Sequence, residues 1–382
     1  MKTIAVVTVA RSDYGIYLPV LRKIAADKKL RLHLIAAGAH LSREFGETVK
    51  AIEADGFEIG DRVEMLLASD SPEAVAKSMG LGTIGYAQVY SRLHPDILLV
   101  LGDRFEMHAA VVAALPFKIP VAHIHGGELT FGAMDDSLRH SITKMSHLHF
   151  VSTQAYARRL EQMGEEPWRI TVSGAPGLDN LRSIKLLGGR EFARRFGVRL
   201  AAHFLLVTYH PATLEAAPAA EQFRELLAAL GQAGHPILFT MANADPGGHD
   251  INRMIQAFVK THPSAQLVAN LGTRGYFSAM SLADAMVGNS SSGIIEAASL
   301  KLPVVNIGTR QAGRVRGTNV IDVGCSDKEI LRGIRRACSR EFRQGLSKLT
   351  NPYGDGWAAP RIVARLKNLE PQARLISKKF YE

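Results

Sequence analysis

Two doubly wound α/β domains facing across a cleft are the architecture this sequence predicts, and three observations carry the expectation. The chain has 382 residues, too many for one average domain and suited to two of roughly 180 residues each with ample core. Strand-like apolar runs alternate with helical patterns almost from end to end, the rhythm of a parallel sheet. Several of these runs stop at glycine beside a charged or amide residue, as at Gly102-Asp-Arg104 and Gly288-Asn-Ser290, which presents polar side chains at one rim of a sheet.

Taken in order, strands are expected at Thr3 to Ala10 and Arg31 to Gly38, with helices at Tyr17 to Asp27 and Arg43 to Asp55. A long helix from Pro72 to Leu93 precedes strand Asp96 to Leu101. Then come a helix near Phe105 to Leu115, strand Val121 to His125, helix Ser137 to His147, strand Leu148 to Ser152, a helix from Thr153, and strand Ile170 to Ser173. This first domain is expected over 1–177, with a connection at 178–189. The second, over 190–355, has strands at Phe204 to Thr208, Ile237 to Met241, Gln266 to Ala269, Ala285 to Gly288, Val304 to Ile307 and Val320 to Val323, and a long helix from Glu215 to Leu230. A helical segment, 356–382, closes the chain and is free to pack on either domain. Loops after the strands should line one ligand site.

Composition excludes several classes. Hydrophobic residues at 47% and charged residues at 21% fit an ordinary globular protein, and no run approaches the ~18 apolar residues that cross a bilayer. Thr3 to Ala10 reads as a first strand, because Arg11-Ser-Asp-Tyr-Gly15 follows it without a cleavage pattern. A cytoplasmic protein without a membrane partner is expected. Cys325 and Cys338 are the only cysteines, too few for a disulfide scaffold. The net charge of +10 would suit nucleic acid, but the basic stretches Arg190 to Arg199 and Arg332 to Lys348 alternate with apolar residues as solvated helix faces do, and aromatics are 7%. An anionic small ligand accounts for part of the excess, and nucleic acid is not expected.

In the second domain, Asn289-Ser-Ser-Ser-Gly-Ile-Ile-Glu296 follows a strand at a helix start. Hydroxyls and free backbone N–H groups converge there, where an anion is favoured. Ser290 and Ser291 form a candidate diphosphate seat, or one serine or Asn289 is simply a helix cap. Glu296 is placed to accept hydrogen bonds from a ribose diol, and Arg310 after the next strand is either a phosphate clamp or a surface ion-pair partner. His210 lies at the same rim as a phosphate contact, an acid or a structural residue. Asn243 and Asp245 either hold base, ribose or sugar, or form Asx turns.

In the first domain, Arg11 reaches a phosphate or pairs with Asp13, and the absence of a G-x-G-x-x-G fingerprint disfavours a dinucleotide. His40 is a rim candidate that is as readily structural. The stretch from 96 to 147 adds Asp103, Arg104, His123, His125, Glu128, Asp135, Asp136, Arg139 and His140. This density invites a metal, with His125 and Glu128 as ligands, but no His-x-x-x-His or His-Glu-x-x-His helix accompanies them and the arginines would go unexplained. No metal and no cofactor are expected. One of Asp135 and Asp136 should cap a helix, leaving the other for acid or base work, and crowding should raise at least one carboxyl.

Together, Arg11-Ser-Asp-Tyr-Gly, Gly102-Asp-Arg, His123-Ile-His-Gly-Gly-Glu, Asp135-Asp-Ser-Leu-Arg-His, Ile142-Thr-Lys-Met-Ser-His, His210-Pro, Gly288-Asn-Ser-Ser-Ser-Gly, Gly308-Thr-Arg-Gln and Asn351-Pro-Tyr-Gly-Asp-Gly resemble the UDP-N-acetylglucosamine 2-epimerase family, in particular its hydrolysing branch in sialic-acid-type sugar synthesis. The resemblance spans nearly the whole chain. It implies a GT-B-like fold, a homo-oligomer (dimer or tetramer), a UDP-sugar substrate, and no metal or nicotinamide. It also implies UDP contacts from Arg11, Arg104, His210, Asn243, Ser290, Ser291, Glu296 and Arg310, with Asp103 and the first acid of the Asp135-Asp136 pair as catalytic carboxylates. Many members carry glutamate where this chain has His125, so Glu128 is promoted to the catalytic set, with His125 sharing its work.

The C2–H of a 2-acetamido sugar is barely acidic until UDP begins to leave C1. The expected course is therefore anti elimination to a 2-acetamidoglycal, then hydration with a proton delivered to C2 from the other face. UDP-GlcNAc is the first expected substrate. Rivals are a UDP-2,4-diacetamido-2,4,6-trideoxyhexose, the non-hydrolysing epimerisation, a glycosyltransferase, and a silent nucleotide-sugar sensor.

Overall fold

The computed structural model describes residues 1–69, 71–130, 134–211, 218–242 and 248–382. The chain divides into two compact units. Of the described residues, one holds Met1–Leu129, 134–180 and Tyr353–Glu382, and the other holds Thr130 and Leu181–Pro352. No helix among the described residues is long and apolar enough to cross a membrane.

The first unit is built on seven parallel strands: β1 (Lys2–Thr8), β2 (Leu30–Ala37), β3 (Ile59–Val63), β4 (Ile97–Leu101), β5 (Val121–Ile124), β6 (Leu148–Val151) and β7 (Ile170–Val172). Their order is β3-β2-β1-β4-β5-β6-β7, so connections run outward in both directions from the β1/β4 pair. That reversal leaves a crevice at the strands' carboxyl ends, the place where such sheets bind ligands. Ile4 to Val7 and Ile97 to Val100 are wholly buried, as expected of central strands covered on both faces.

The second unit repeats the plan with β8 (Leu205–Thr208), β9 (Ile237–Thr240), β10 (Ala265–Val268), β11 (Ala285–Gly288), β12 (Val304–Ile307) and β13 (Val320–Val323). The order is β10-β9-β8-β11-β12-β13, and the switch falls between β8 and β11. Leu205 and Val207 enter one core and Phe204 and Leu206 the other, the period-two alternation of a strand packed on both faces.

Four details differ from the sequence expectation. The first helix begins at Arg11, not Tyr17, and runs to Ala25, because the Asp13 carboxylate accepts from the Val9 and Ala10 N–H groups at 2.8 and 2.7 Å and caps the turn. Strand β3 is new: its Ile-Gly-Asp-Arg-Val sequence carries no apolar run because it is an edge strand. The helix expected from Arg43 is only Val49–Ala54. The helix expected from Glu215, which itself lies outside the described residues, spans Ala219–Ala233.

The division between the units falls after Asn180, just past the start of helix Gly177–Ser183. The closing segment joins the first unit through specific bonds. Asp179 accepts from the Ala358 and Ala359 N–H groups at 2.9 and 2.8 Å, which starts helix Ala358–Lys367. The fully buried Arg169 donates to the carbonyls of Leu375 and Ser377.

Candidate active site

At the β1/β4 switch of the first unit, β4 is followed by Gly102 and then Asp103, which pairs with Arg139 from helix Met134–Met145. Arg139 is buried and crosses 36 residues of sequence to reach it. Arg104 precedes helix Phe105–Ala114 and donates through Nε and Nη2 to the two oxygens of Glu106, at 3.3 and 3.2 Å. Glu106 is wholly buried, so this fork fixes the guanidinium. The sequence offered no signal for that pairing.

Beneath the rim, two histidines are structural. His40 sits between the hydroxyls of Thr8 (3.0 Å) and Thr48 (2.7 Å), and burial pushes its pKa down to about 4. The Thr8 hydroxyl donates to Asp13, so His40 Nε2 is the donor to Thr8. Burial drives Asp13 the other way, to about 6. Arg11 is exposed and does not pair with Asp13, whose oxygens serve the Val9 and Ala10 N–H groups and the Thr8 hydroxyl. His123 places Nε2 2.7 Å from the Gly102 carbonyl and Nδ1 3.2 Å from the Thr143 hydroxyl. Burial lowers it to about 3, and it steadies the turn before Asp103. With both nitrogens occupied, neither His40 nor His123 is available as a metal ligand.

After β5, His125 Nδ1 lies 2.6 Å from Glu128 Oε1, and the Ser152 hydroxyl donates to the same oxygen at 2.9 Å. Gly127 lets this loop lie flat against helix Gln154–Gln162: at φ +76°, an added Cβ would come within 2.9 Å of the Tyr156 carbonyl. Asp135 and Asp136 both lie inside the first turn of helix Met134–Met145, so neither is the residue before it as expected. Asp136 reaches His140 at 3.5 Å. Among the described carboxyls, burial raises Asp13 and Asp179 in this unit and Glu296 in the second.

At the β8/β11 switch of the second unit, Asn289 works as a clamp. Its Oδ1 accepts from the His210 N–H and its Nδ2 donates to the His210 carbonyl, both at 2.8 Å, so the amide pairs with the backbone after β8. The Asn289 carbonyl accepts from Arg310 Nη1 (3.1 Å) and from the buried Gln311 Nε2 (2.9 Å). Gly288 permits this: at φ +142°, a Cβ would fall 1.9 Å from the Thr208 carbonyl oxygen.

Ser290 is the cap of helix Ser291–Ile295, its hydroxyl 3.4 Å from the Ser292 N–H. Glu296 ends that short helix, and burial pushes its carboxyl up to about 7 against the Ser292 hydroxyl and Arg314. Near neutral pH it is partly protonated, so it both accepts and donates. His210, Asn289, Ser290, Ser291, Glu296 and Arg310 are thus gathered at one switch, whereas Asn243 and Asp245 lie outside the described residues.

Each unit therefore carries a polar rim at the switch point of a doubly wound sheet, the plan of nucleotide-binding α/β enzymes. The family model described as UDP-N-acetylglucosamine 2-epimerase matches residues 22–367. A Campylobacter jejuni protein named GDP/UDP-N,N'-diacetylbacillosamine 2-epimerase (hydrolyzing) is 40% identical over 90% of this chain and 89% of its own. A Legionella pneumophila protein named UDP-N,N'-diacetylbacillosamine 2-epimerase (hydrolyzing) is 37% identical over 99% of both chains. The solved UDP-GlcNAc 2-epimerase from Neisseria meningitidis, bound to UDP-GlcNAc, shares the fold with a TM-score of 0.81 at 18% identity, over 96% of this chain and 99% of that one. The chain belongs to the UDP-N-acetylglucosamine 2-epimerase family, on its hydrolysing branch, and is an enzyme with the GT-B-like fold of two Rossmann-type halves.

Proposed function

We propose that the protein converts a UDP-linked 2-acetamido sugar and water to UDP and the free 2-epimeric sugar. A UDP-2,4-diacetamido-2,4,6-trideoxyhexose is the first substrate and UDP-GlcNAc the second. The observation that carries the order is the end-to-end match, 37% identical over 99% of both chains, to a hydrolysing diacetylbacillosamine 2-epimerase. It reverses the order expected from the sequence alone. UDP-GlcNAc keeps its place because a protein of the same fold binds it.

In this reading the second unit seats the nucleotide: Ser290, Ser291 and Arg310 take the diphosphate, His210 assists, and Glu296 takes the ribose. Asn243 is proposed for the same ligand, and Arg11 and Arg104 from the first unit for the phosphates. The locked fork of Arg104 on Glu106 supports its part, since a fixed cation stabilises a leaving diphosphate without reorganising. Asp103, Glu128, His125 and Asp135, with Asp136 in reserve, divide proton removal, proton delivery and water activation, each worth roughly 10²- to 10⁴-fold. A homo-oligomer working in the cytoplasm completes the reading, supported by the family resemblance and by the free thiols of Cys325 and Cys338.

Incubation with both UDP-sugars and the GDP-linked diacetamido sugar in D2O, followed by mass spectrometry, tests it. The expected result is UDP plus a free sugar carrying one deuterium at C2, released faster from the diacetamido substrate. A product without label at C2 overturns the mechanism, and preference for UDP-GlcNAc overturns the substrate order. Release of UDP-ManNAc instead of free sugar assigns the non-hydrolysing reaction.

A further inference from the structure

We infer that His125 is the proton-carrying residue of one of the two half-reactions, acting through Nε2, and that Glu128 and Ser152 position its ring, which narrows the share of proton transfer proposed above for Glu128 to support of His125. The inference rests on the hydrolysing 2-epimerase reading and assigns roles within that site.

Adjacent strands bring the three together. His125 is one residue past β5 and Ser152 one residue past β6, and the ladder continues one step beyond the strand through the His125 N–H, which donates to the Phe150 carbonyl at 3.0 Å. Ser152 donates to Glu128 Oε1, and the same oxygen faces His125 Nδ1 at 2.6 Å. An oxygen that accepts from a hydroxyl and lies that close to a ring nitrogen is the carboxylate partner of an N–H, so Nδ1 carries the hydrogen. Nε2 then holds the lone pair of the neutral ring. A carboxylate behind Nδ1 fixes the tautomer and steadies the imidazolium once Nε2 gains a proton.

The other end of the ring is available. Nε2 has no hydrogen-bond partner among the described residues, yet is not one of the enclosed unpaired atoms, and the side chain keeps 11% of its exposure while Glu128 keeps 5%. His40 and His123 differ, with both nitrogens engaged by protein groups. His125 also holds φ at +65°, a left-handed conformation that costs a non-glycine residue free energy and that the surroundings must impose. Such residues gather at functional sites.

The chemistry needs two proton carriers. In elimination, the C2–H pair becomes the C1=C2 bond, the proton passes to a base, and the C1–O pair leaves with UDP. In hydration, a proton is added to C2, water oxygen bonds to C1, and the second water proton passes to a base. His125 serves one of these steps, so its loss should stop one half-reaction selectively.

His125→Gly removes the ring while suiting the positive φ, and leaves room for added imidazole. The expected result is a kcat lower by roughly 10²- to 10⁴-fold, at least tenfold recovery with imidazole, and a selective defect. Either hydration of the 2-acetamidoglycal survives while UDP release fails, or UDP release continues and the glycal accumulates. Ser152→Ala should lower kcat roughly tenfold alone and add nothing in the His125→Gly background, because a positioning residue is silent once its target is gone. Equal loss of both half-reactions without imidazole rescue, in a variant that melts cooperatively and binds UDP, overturns the role of His125. Additive losses overturn that of Ser152. Should His125→Gly not fold, His125→Gln reports on the half-reactions in its place. A wild-type protein that releases neither UDP nor free sugar instead overturns the underlying reading.

Discussion

The two units have the same strand plan and answer it with opposite chemistry, most clearly in the slot after the strand that crosses the switch point. In the first unit that slot reads Gly102-Asp103-Arg104, and in the second Gly288-Asn289-Ser290. Asp103 meets a buried guanidinium from another helix, and Arg104 forks onto a buried carboxylate. Asn289, one carboxamide away from aspartate in shape, pairs instead with the backbone of His210. A neutral amide satisfies and is satisfied by peptide groups, so it stiffens a loop at no charge cost. A carboxylate needs a cation or water and keeps its charge at the rim. The fold supplies the place, and the residue decides whether it becomes a seat or a reagent.

The largest expected effect comes from exchanging one slot for the other. Asp103→Asn gives the first unit the second unit's residue type, keeps the volume and removes the charge. We expect kcat to fall by roughly 10²- to 10⁴-fold, with UDP affinity by calorimetry changed less than about threefold. The melting temperature should also drop, because the buried Arg139 loses its counter-ion. A loss of UDP affinity as large as the loss of kcat would move Asp103 to nucleotide binding and erase the division between the rims.

How far this comparison was legible in the sequence depends on the range of the interaction. Strands β1, β4, β8 and β11 announce themselves because central parallel strands need continuous apolar runs, and the polar residue after each run necessarily lies at the rim. The same physics hides β3, whose edge position tolerates Gly60, Asp61 and Arg62. Helix Arg11–Ala25 starts six residues before its apolar pattern does, because its first turn is polar and its cap is Asp13 reaching back to Val9 and Ala10. Partners were beyond reach: the Asp103 and Arg139 pair, Ser152 behind Glu128, and Asp179 holding the start of a helix 179 residues on. Nothing local marks Glu106 or Ser152 as part of a site, since their role exists only once neighbouring strands are in register.

A second prediction sets the units against each other with pH. In the first, burial holds His40 and His147 down to about 4 and His123 to about 3, against about 6.5 in an unfolded chain. Below pH 6.5 the unfolded state binds protons that the folded state refuses. Stability is therefore lost as pH falls from about 6.5 toward 4, on the order of 1 kcal/mol per histidine by pH 5.5. Asp13, raised to about 6, opposes this with a smaller gain over the same interval. In the second unit, Glu296 is raised to about 7, so its contribution is fully present below pH 4.5 and is lost as pH rises through 7, on the order of 3 kcal/mol by pH 8. Hydrogen exchange at pH 5.5 and 8, corrected for intrinsic rates, should show β1 and β5 better protected at pH 8 and β8 and β11 better protected at pH 5.5. Parallel changes in both units would contradict the burial-driven account.

The smallest expected effect separates a cap from a seat. Ser290 in the second unit and Thr153 in the first both cap a helix that follows a strand, with side-chain oxygens 3.4 and 3.3 Å from the capped N–H groups. Long bonds of this kind place Ser290→Ala and Thr153→Ala at the low end of capping losses, about 0.5–1 kcal/mol each, read as a small shift in urea midpoint. On stability the two variants should be indistinguishable. They should part on nucleotide binding: if the Ser290 hydroxyl also meets the diphosphate, its removal costs a further hydrogen bond of about 1 kcal/mol, weakening UDP roughly fivefold. Thr153→Ala should leave UDP affinity within error. Equal affinities in both variants would reduce Ser290 to a cap and shift the anion's recognition onto Arg310, His210 and the backbone N–H groups of residues 290–292.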